Sequence, residues 1–189
     1  MPPKFFEVEF DNGRTLGHDP GQFVQLSILG IGEAAISISS PPSFGNRFEM
    51  VVRTVGDVTS KLHTLGTGDH LFIRGPFGHG FDEQIQRKME GKHILYIAGG
   101  IGYVPLRSLI NLTLKHPEKY KKISILYGCR TPEDQMFKDE LKYISELGGN
   151  VELLETVDNG NDKWMKNTGV ITDLISMAKF DHLNTQAFI

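Results

Sequence analysis

A chain of 189 residues, 39% hydrophobic and 23% charged, has the composition of an ordinary globular protein of one generous or two small domains, not of a disordered one. A net charge of −3 and a pI near 6.2 leave no broad basic field for nucleic acid or an anionic membrane, and no apolar run approaches the roughly 20 residues of a membrane helix. The single cysteine, Cys129, excludes an internal disulfide and by itself a zinc or iron–sulfur site, and the start "MPPKFFEVEF" lacks a signal peptide's apolar core, so a soluble, cytoplasmic protein is expected.

The first part of the chain reads as short strands. "FFEVEF" and "QFVQLSIL" are β-rich and separated by "HDPGQ"; "AAISISS" follows "GIGE" and is stopped by Pro41 and Pro42. "RFEMVVRTV" and, after "GTGD", "HLFIRGP" complete the set. Short β-rich segments punctuated by Gly and Pro predict a small antiparallel barrel or sandwich. One helical insert is expected over Thr59–Leu65, with Thr59 as N-cap and Gly66 as the stop.

The rhythm changes around Phe81–Lys92, a polar stretch read as the linker between a domain over 1–84 and a second over 92–189. "HILYIA" reads as a buried strand, and "VPLRSLINLTLKH" as a helix with Pro105 near its first turn and Pro117 just beyond its end. "KISILYG" is a second strand. "PEDQMFKDELKYISELGG" is a second helix, with Phe137, Leu141 and Ile144 on one face and Gly148–Gly149 as terminators. "VELLETV" is a third strand, followed by a short helix at "ITDLISMA" and a last strand at "TQAFI". Strand alternating with helix predicts a parallel sheet covered by helices. Phe188 and Ile189 stop inside an apolar run, so the α/β domain is expected to be incomplete and the parent chain longer.

Gly99, Gly100 and Gly102 crowd the turn after "HILYIA", where a parallel sheet presents ligands beyond its strand ends. Glycine permits positive φ and removes the Cβ that would hold a ligand away, and the following helix start offers free N–H groups and the positive end of its dipole. A pyrophosphate suits that arrangement; so does a tight turn with no ligand, because the spacing is not G-x-G-x-x-G. In "VGDVTSKL", Thr59 and Ser60 read equally as a phosphate-binding helix start and as an ordinary cap. Ser37, Ser39 and Ser40 read by themselves as the solvated face of a strand. His63, His70, His79 and His93 are scattered and read as surface or loop residues, and no metal site or catalytic acid–base pair is expected.

Five blocks in order change the balance. "ISISS", "VGDVTSKL", "RGPFGHGF", "AGGIG" with "PLRSL", and "YGCRTPED" together resemble the ferredoxin–NADP reductase-like superfamily, from about "PGQF" to Ile189. Within it the chain looks like the flavin- and nicotinamide-binding subunits of multi-subunit redox enzymes, of the sulfhydrogenase gamma and dihydroorotate dehydrogenase electron-transfer type. The resemblance implies a Greek-key FAD-binding barrel followed by a parallel-sheet α/β domain that binds NAD(P)H. It places Ile36 and Ser37 beside the isoalloxazine ring, Val52 and Arg53 on the strand passing the ribityl phosphate, and Gly56, Val58, Thr59 and Ser60 at the FAD pyrophosphate. Gly99, Gly100, Gly102 and Pro105 match the nicotinamide-dinucleotide loop, Arg130 the adenosine ribose, and Glu155–Asp158 the nicotinamide side. Cys129 reads as a small core residue.

The chain departs from the family at Ala34, where an Arg is usual, and at Ile36, where an aromatic is usual; Arg53 is the residue placed to supply the charge Ala34 lacks. It also lacks the "C-G-P-P" turn and the cysteine cluster that many hydrogenase-linked members carry, so a [2Fe–2S] centre is expected only in a longer parent chain or a partner. The implied activity passes a hydride from NAD(P)H to the flavin and single electrons to an iron–sulfur or hydrogenase-type subunit. The rival readings are a free-standing NAD(P)H:flavin or ferredoxin reductase, a regulatory subunit with a degenerate flavin site, and a nucleotide-binding protein without flavin.

Overall fold

The computed structural model describes residues 2–42 and 45–189; Met1, Ser43 and Phe44 lie outside the described residues. In the first part, β1 (Lys4–Glu9) pairs antiparallel with β4 (Arg47–Val52). β2 (Phe23–Ile28) lies between β3 (Gly32–Ser37) and β5 (Phe72–Phe77), antiparallel to both. Alternation along the strands sends Val24 and Leu26 of β2 and Phe48, Met50 and Val52 of β4 into one core, closed by Ile38 and by Leu62 of α1 (Asp57–Thr64). The result is a barrel-like pair of antiparallel sheets, as the strand pattern predicts.

Helix α1 is held at its C-terminal end from outside. Lys4 Nζ donates to the carbonyls of His63 (3.1 Å) and Leu65 (2.5 Å), a cation on the negative end of the dipole. The His63 ring donates from Nε2 to the Val52 carbonyl at 2.8 Å. His63, half-buried on α1, is therefore a tether between α1 and β4 rather than a loop residue.

The polar stretch expected as a linker is partly helical. Asp82 caps α2 (Glu83–Met89) by accepting from Ile85 N at 2.9 Å, and its one buried residue, Met89, joins the core of the second part.

The second part is a five-stranded, all-parallel sheet in the order β10 (Thr185–Phe188), β6 (His93–Gly99), β7 (Lys122–Cys129), β8 (Val151–Val157), β9 (Asn167–Thr168). The side-chain period of two divides β6: Ile94, Tyr96 and Ala98 face α3 (Tyr103–Leu114) and α4 (Lys138–Leu147), while Leu95 faces Leu174 of α5 (Asp173–Met177). Burial on both faces explains why β6 and β7 read as apolar runs rather than alternating ones.

Two expectations shift. The helix expected from Pro132 is a 3-10 turn over Pro132–Asp134, and α4 begins only at Lys138. Phe137 precedes it with a left-handed backbone (φ 53°), so Leu141 and Ile144 carry the helix face while the Phe137 ring packs on Tyr103. His93 is not a surface residue: it is 3% exposed, its Nε2 lies 2.9 Å from Ser124 Oγ, and Ser124 donates to Glu152 at 3.0 Å. Because Ser124 gives its only proton to Glu152, Nε2 of His93 carries the hydrogen.

Candidate functional site

A cleft of about 460 Å3 separates the two parts of the molecule. One wall is Ala34–Ser37 of β3, Val51, Val52, Arg53 and Val55 at the end of β4, and Thr59 of α1; the other is Ile101, Gly102, Val104 and Pro105 at the start of α3. Seven of the predicted site residues thus meet in one cleft: Ile36, Ser37, Val52, Arg53, Thr59, Gly102 and Pro105. Most of its lining is aliphatic, which suits flat rings, and Arg53 is its one cation among the described residues. A larger cavity, near 770 Å3, lies at the opposite ends of β7 and β8 beside Lys122 and Glu152, which pair at 2.5 Å. Ligands of parallel sheets bind at the carboxyl ends, so the interdomain cleft is the candidate.

Two helix starts point into it. At α1, Gly56 is the N-cap and Thr59 the third helical residue, not the cap expected from the sequence. The Thr59 hydroxyl accepts from Val55 N (2.9 Å) and Gly56 N (3.0 Å) and donates to the Gly56 carbonyl (3.0 Å). Its hydrogen bonds go to its own turn, and what remains for an anion is the first-turn N–H groups. Val58 packs on the β core, and Ser60 N continues the helix by bonding the Gly56 carbonyl at 2.8 Å.

At α3 the chain leaves β6 through a 3-10 turn, Gly100–Gly102, and enters the helix with no side-chain cap. Only Gly100 of the three glycines needs its freedom, with φ 52°; Gly102 is helical at φ −62° and Gly99 extended at φ −96°. A Cβ on any of the three would meet nothing within 4 Å. The missing side chains leave open space that the protein itself does not fill. Pro105 lies in the first turn of α3, which follows directly on the 3-10 turn into whose Gly100 and Ile101 carbonyls Tyr103 N already donates. Beside the cleft, Thr54 Oγ1 is buried without a hydrogen-bond partner. Uncapped donors, open space above the glycines, a spare hydroxyl and one cation all fit a bound dinucleotide.

The remaining predicted residues lie apart. Arg130 is exposed just after β7, its carbonyl accepting from Asn159 N at 2.9 Å. The Glu155 carboxylate, expected on the nicotinamide side, is buried and committed to Gln135 and Lys166, and Glu155–Asp158 is not among the cleft residues. Ser37 lines the cleft, but Ser39 and Ser40 are fully buried rather than solvated; Ser40 Oγ accepts from Glu49 N at 3.0 Å. Cys129 is buried, as expected; burial, with Asp134, Glu155 and Asp158 nearby, pushes its thiol up to about 11, so it is no nucleophile at neutral pH. Among the described residues no group of three His, Cys, Asp or Glu is placed to hold a metal ion, and no helix is long and apolar enough to cross a membrane. Arg107, which falls in the "PLRSL" block but is given no role by the sequence, crosses from α3 to Glu49 of β4 at 2.5 Å.

Comparison with known proteins follows the same division. Residues 4–81 match the oxidoreductase FAD-binding domain family and residues 96–189 the oxidoreductase NAD-binding domain family. The chain is 36% identical to the sulfhydrogenase 2 gamma subunit of Pyrococcus furiosus, over 98% of this chain and 66% of that one. It is also 36% identical to a Pyrococcus horikoshii protein named "Probable dihydroorotate dehydrogenase B (NAD(+)), electron transfer subunit", over 70% of this chain and 47% of that one. The chain thus spans about half to two thirds of the length of these curated relatives. In fold it is similar to the cytochrome b5 reductase domain of Ulva prolifera nitrate reductase (TM-score 0.81, 21% identity, 98% of this chain and 80% of that one). It is likewise similar to a ferredoxin NADP+ reductase of Neisseria gonorrhoeae with bound FAD and NADP (TM-score 0.76, 17% identity, 98% and 78%).

Proposed function

Since this chain belongs to the FAD- and NAD-binding oxidoreductases of the ferredoxin–NADP reductase-like superfamily, we propose that it works as the electron-transfer subunit of a cytoplasmic, multi-subunit redox complex of hydrogenase or sulfhydrogenase type. In this reading it moves electrons between NAD(P)H and an iron–sulfur partner. The observation that carries it is the cleft itself, whose two walls each bring a helix start to one shared space. The relatives named as gamma and electron-transfer subunits support the reading of a chain that works within a complex.

On the β side, Ile36, Ser37 and Val52 would hold the flavin ring and chain, Arg53 its phosphate charge, and the first turn of α1 its pyrophosphate, through N–H groups more than through the Thr59 hydroxyl. On the α/β side, Gly99, Gly100, Gly102 and Pro105 would leave room for the second dinucleotide, with Arg130 towards its ribose. The bound flavin supplies the two-electron to one-electron exchange that no side chain here supplies. The protein's part is to hold two ligands face to face and keep the aliphatic cleft dry.

Denaturing the purified chain should release FAD, and anaerobic NADH or NADPH should bleach the visible spectrum of the native protein. An iron–sulfur protein should then reoxidise it faster than free flavin does. Release of FMN alone, or of nothing after reconstitution, would overturn the assignment. A fast reaction with free flavin alone would favour a free-standing reductase.

A further inference from the structure

The face where α3 meets the β sheets holds a buried charged cluster outside the cleft. Arg107 Nη1 donates to Glu49 Oε2 (2.5 Å), on β4, and to the Ser39 carbonyl (3.4 Å). Its Nε donates to Glu140 Oε2 of α4 (2.7 Å), and its guanidinium lies 4.3 Å from the centre of the Phe137 ring. The Arg107 and Glu49 side chains are each only 12% exposed. Tyr103 donates to the other oxygen of Glu140 (3.0 Å), and Phe5 of β1 packs its ring edge on Phe137. One arginine therefore joins β4 to α3 and α4. The side of the clasp towards the β sheets runs close to the cleft lining: Arg107 lies two residues after Pro105 on α3, Glu49 two before Val51 on β4, and Ser39 two after Ser37, while Glu140, on α4, is not a cleft residue.

We propose that Arg107 is a positioning residue: by clasping Glu49 and Glu140 it fixes the glycine turn of α3 at a set distance from the strands β3 and β4 across the cleft. This rests on the function proposed above and names what sets its geometry. Transfer between two ligands held on different walls depends on their separation to a fraction of an ångström. The clasp is suited to that task because it is directional and buried. Arg107 is a planar fork that engages two carboxylates at fixed angles, which a lysine cannot reproduce. Without it, two carboxylates face each other with no cation between them, and the walls separate rather than collapse.

The test uses the FAD-loaded full chain with Arg107→Met, Arg107→Lys and Glu49→Gln. Single-turnover reduction at rising NAD(P)H concentration separates nucleotide affinity from the limiting rate. Arg107→Met should keep its FAD and a near-normal affinity, while the limiting rate falls by about tenfold or more. Arg107→Lys should recover only part of that loss, and Glu49→Gln should fall between. Calorimetry reads the clasp without chemistry: one unfolding transition in the wild type should split in Arg107→Met, with or without FAD. A limiting rate unchanged in all three variants, whatever the melting temperature, overturns positioning and leaves a stabilising ion pair. If Arg107→Met does not fold, Arg107→Lys and Glu49→Gln decide by the same rate. If neither nucleotide reduces the wild type, the function reading fails, and a single calorimetric transition in Arg107→Met overturns the clasp separately.

Discussion

The turn from β4 into α1 and the turn from β6 into α3 both deliver a helix start to the interdomain cleft, yet the first closes on itself and the second stays open. Thr59 binds two backbone N–H groups and a carbonyl of its own turn, so the α1 start keeps its shape without a ligand. The α3 start has no side-chain cap, and no neighbour within 4 Å of where its glycine side chains would be. A substitution in the α3 turn is therefore expected to act on the ligand, and one in the α1 turn on the fold and the ligand together.

The largest effect tests the open turn. Gly102→Val places a branched side chain in the empty space, and because Gly102 is already helical (φ −62°) the backbone is not strained. The fold should lose no more than about 1 kcal/mol. FAD content and the visible spectrum should be retained, while reduction by NAD(P)H slows by about a hundredfold or more and dithionite still bleaches the flavin. Loss of FAD together with reduction would mean misfolding. Wild-type reduction would reduce the glycines to a turn and erase the contrast with α1.

Gly100→Ala should mix the two kinds of effect, because Gly100 is the glycine of this turn with positive φ (52°). An added Cβ costs about 1–2 kcal/mol there whatever the space around it. Chemical denaturation should show that loss, and nucleotide affinity should fall less than in Gly102→Val. A neutral substitution would show that the turn relaxes freely.

Thr59→Val is the matching change in the closed turn. It removes the third-position hydroxyl that satisfies Val55 N and Gly56 N, and losing such a side-chain bond at a helix start costs about 1 kcal/mol. FAD retention should weaken several-fold through the loosened turn while the nucleotide affinity of the FAD-loaded fraction holds. Weakened FAD binding at unchanged stability would instead give the hydroxyl a direct role at the phosphate.

What the sequence shows and hides follows the range of the interactions. β6 and β7 are legible because burial on both faces makes their apolar runs continuous, and the glycine and proline punctuation marks the β strands. Seven of the named site residues line the cleft, and each is named from a match to the family over a short local run of sequence. Helix α2 is hidden because only Met89 is buried, leaving no apolar period. β9 has two residues, too few for a pattern. Phe137 misleads because its ring serves Tyr103 and Arg107 rather than the helix that follows. His93 reads as a surface or loop residue, and Arg107 draws no role, because their partners, Ser124 and Glu49, arrive from other strands.

The smallest effect compares the two parts through one buried histidine each. His18, in the β part, donates from Nε2 to the Ser40 carbonyl at 3.0 Å, which leaves Nδ1 bare, buried and without a partner. Burial, only partly offset by that bond and by Asp19, lowers its pKa below 6.5. His93 is lowered too, first by burial and then by Lys122, with Glu152 opposing. In both cases the unfolded chain binds the proton more readily, so stability must fall as pH drops below 6.5 towards the depressed folded values and level off beneath them. Unfolding free energy measured between pH 7.5 and 5 should therefore decline with acid, and the slope should be shallower in His18→Gln and in His93→Gln than in wild type. Protonating His18 puts a hydrogen on the bare Nδ1 with nothing to receive it, whereas a protonated His93 gains from Glu152. His18→Gln should flatten the profile more. Equal flattening by the two variants would mean that Lys122 cancels the help from Glu152, and an unchanged slope in both would show that neither histidine is held neutral by the fold.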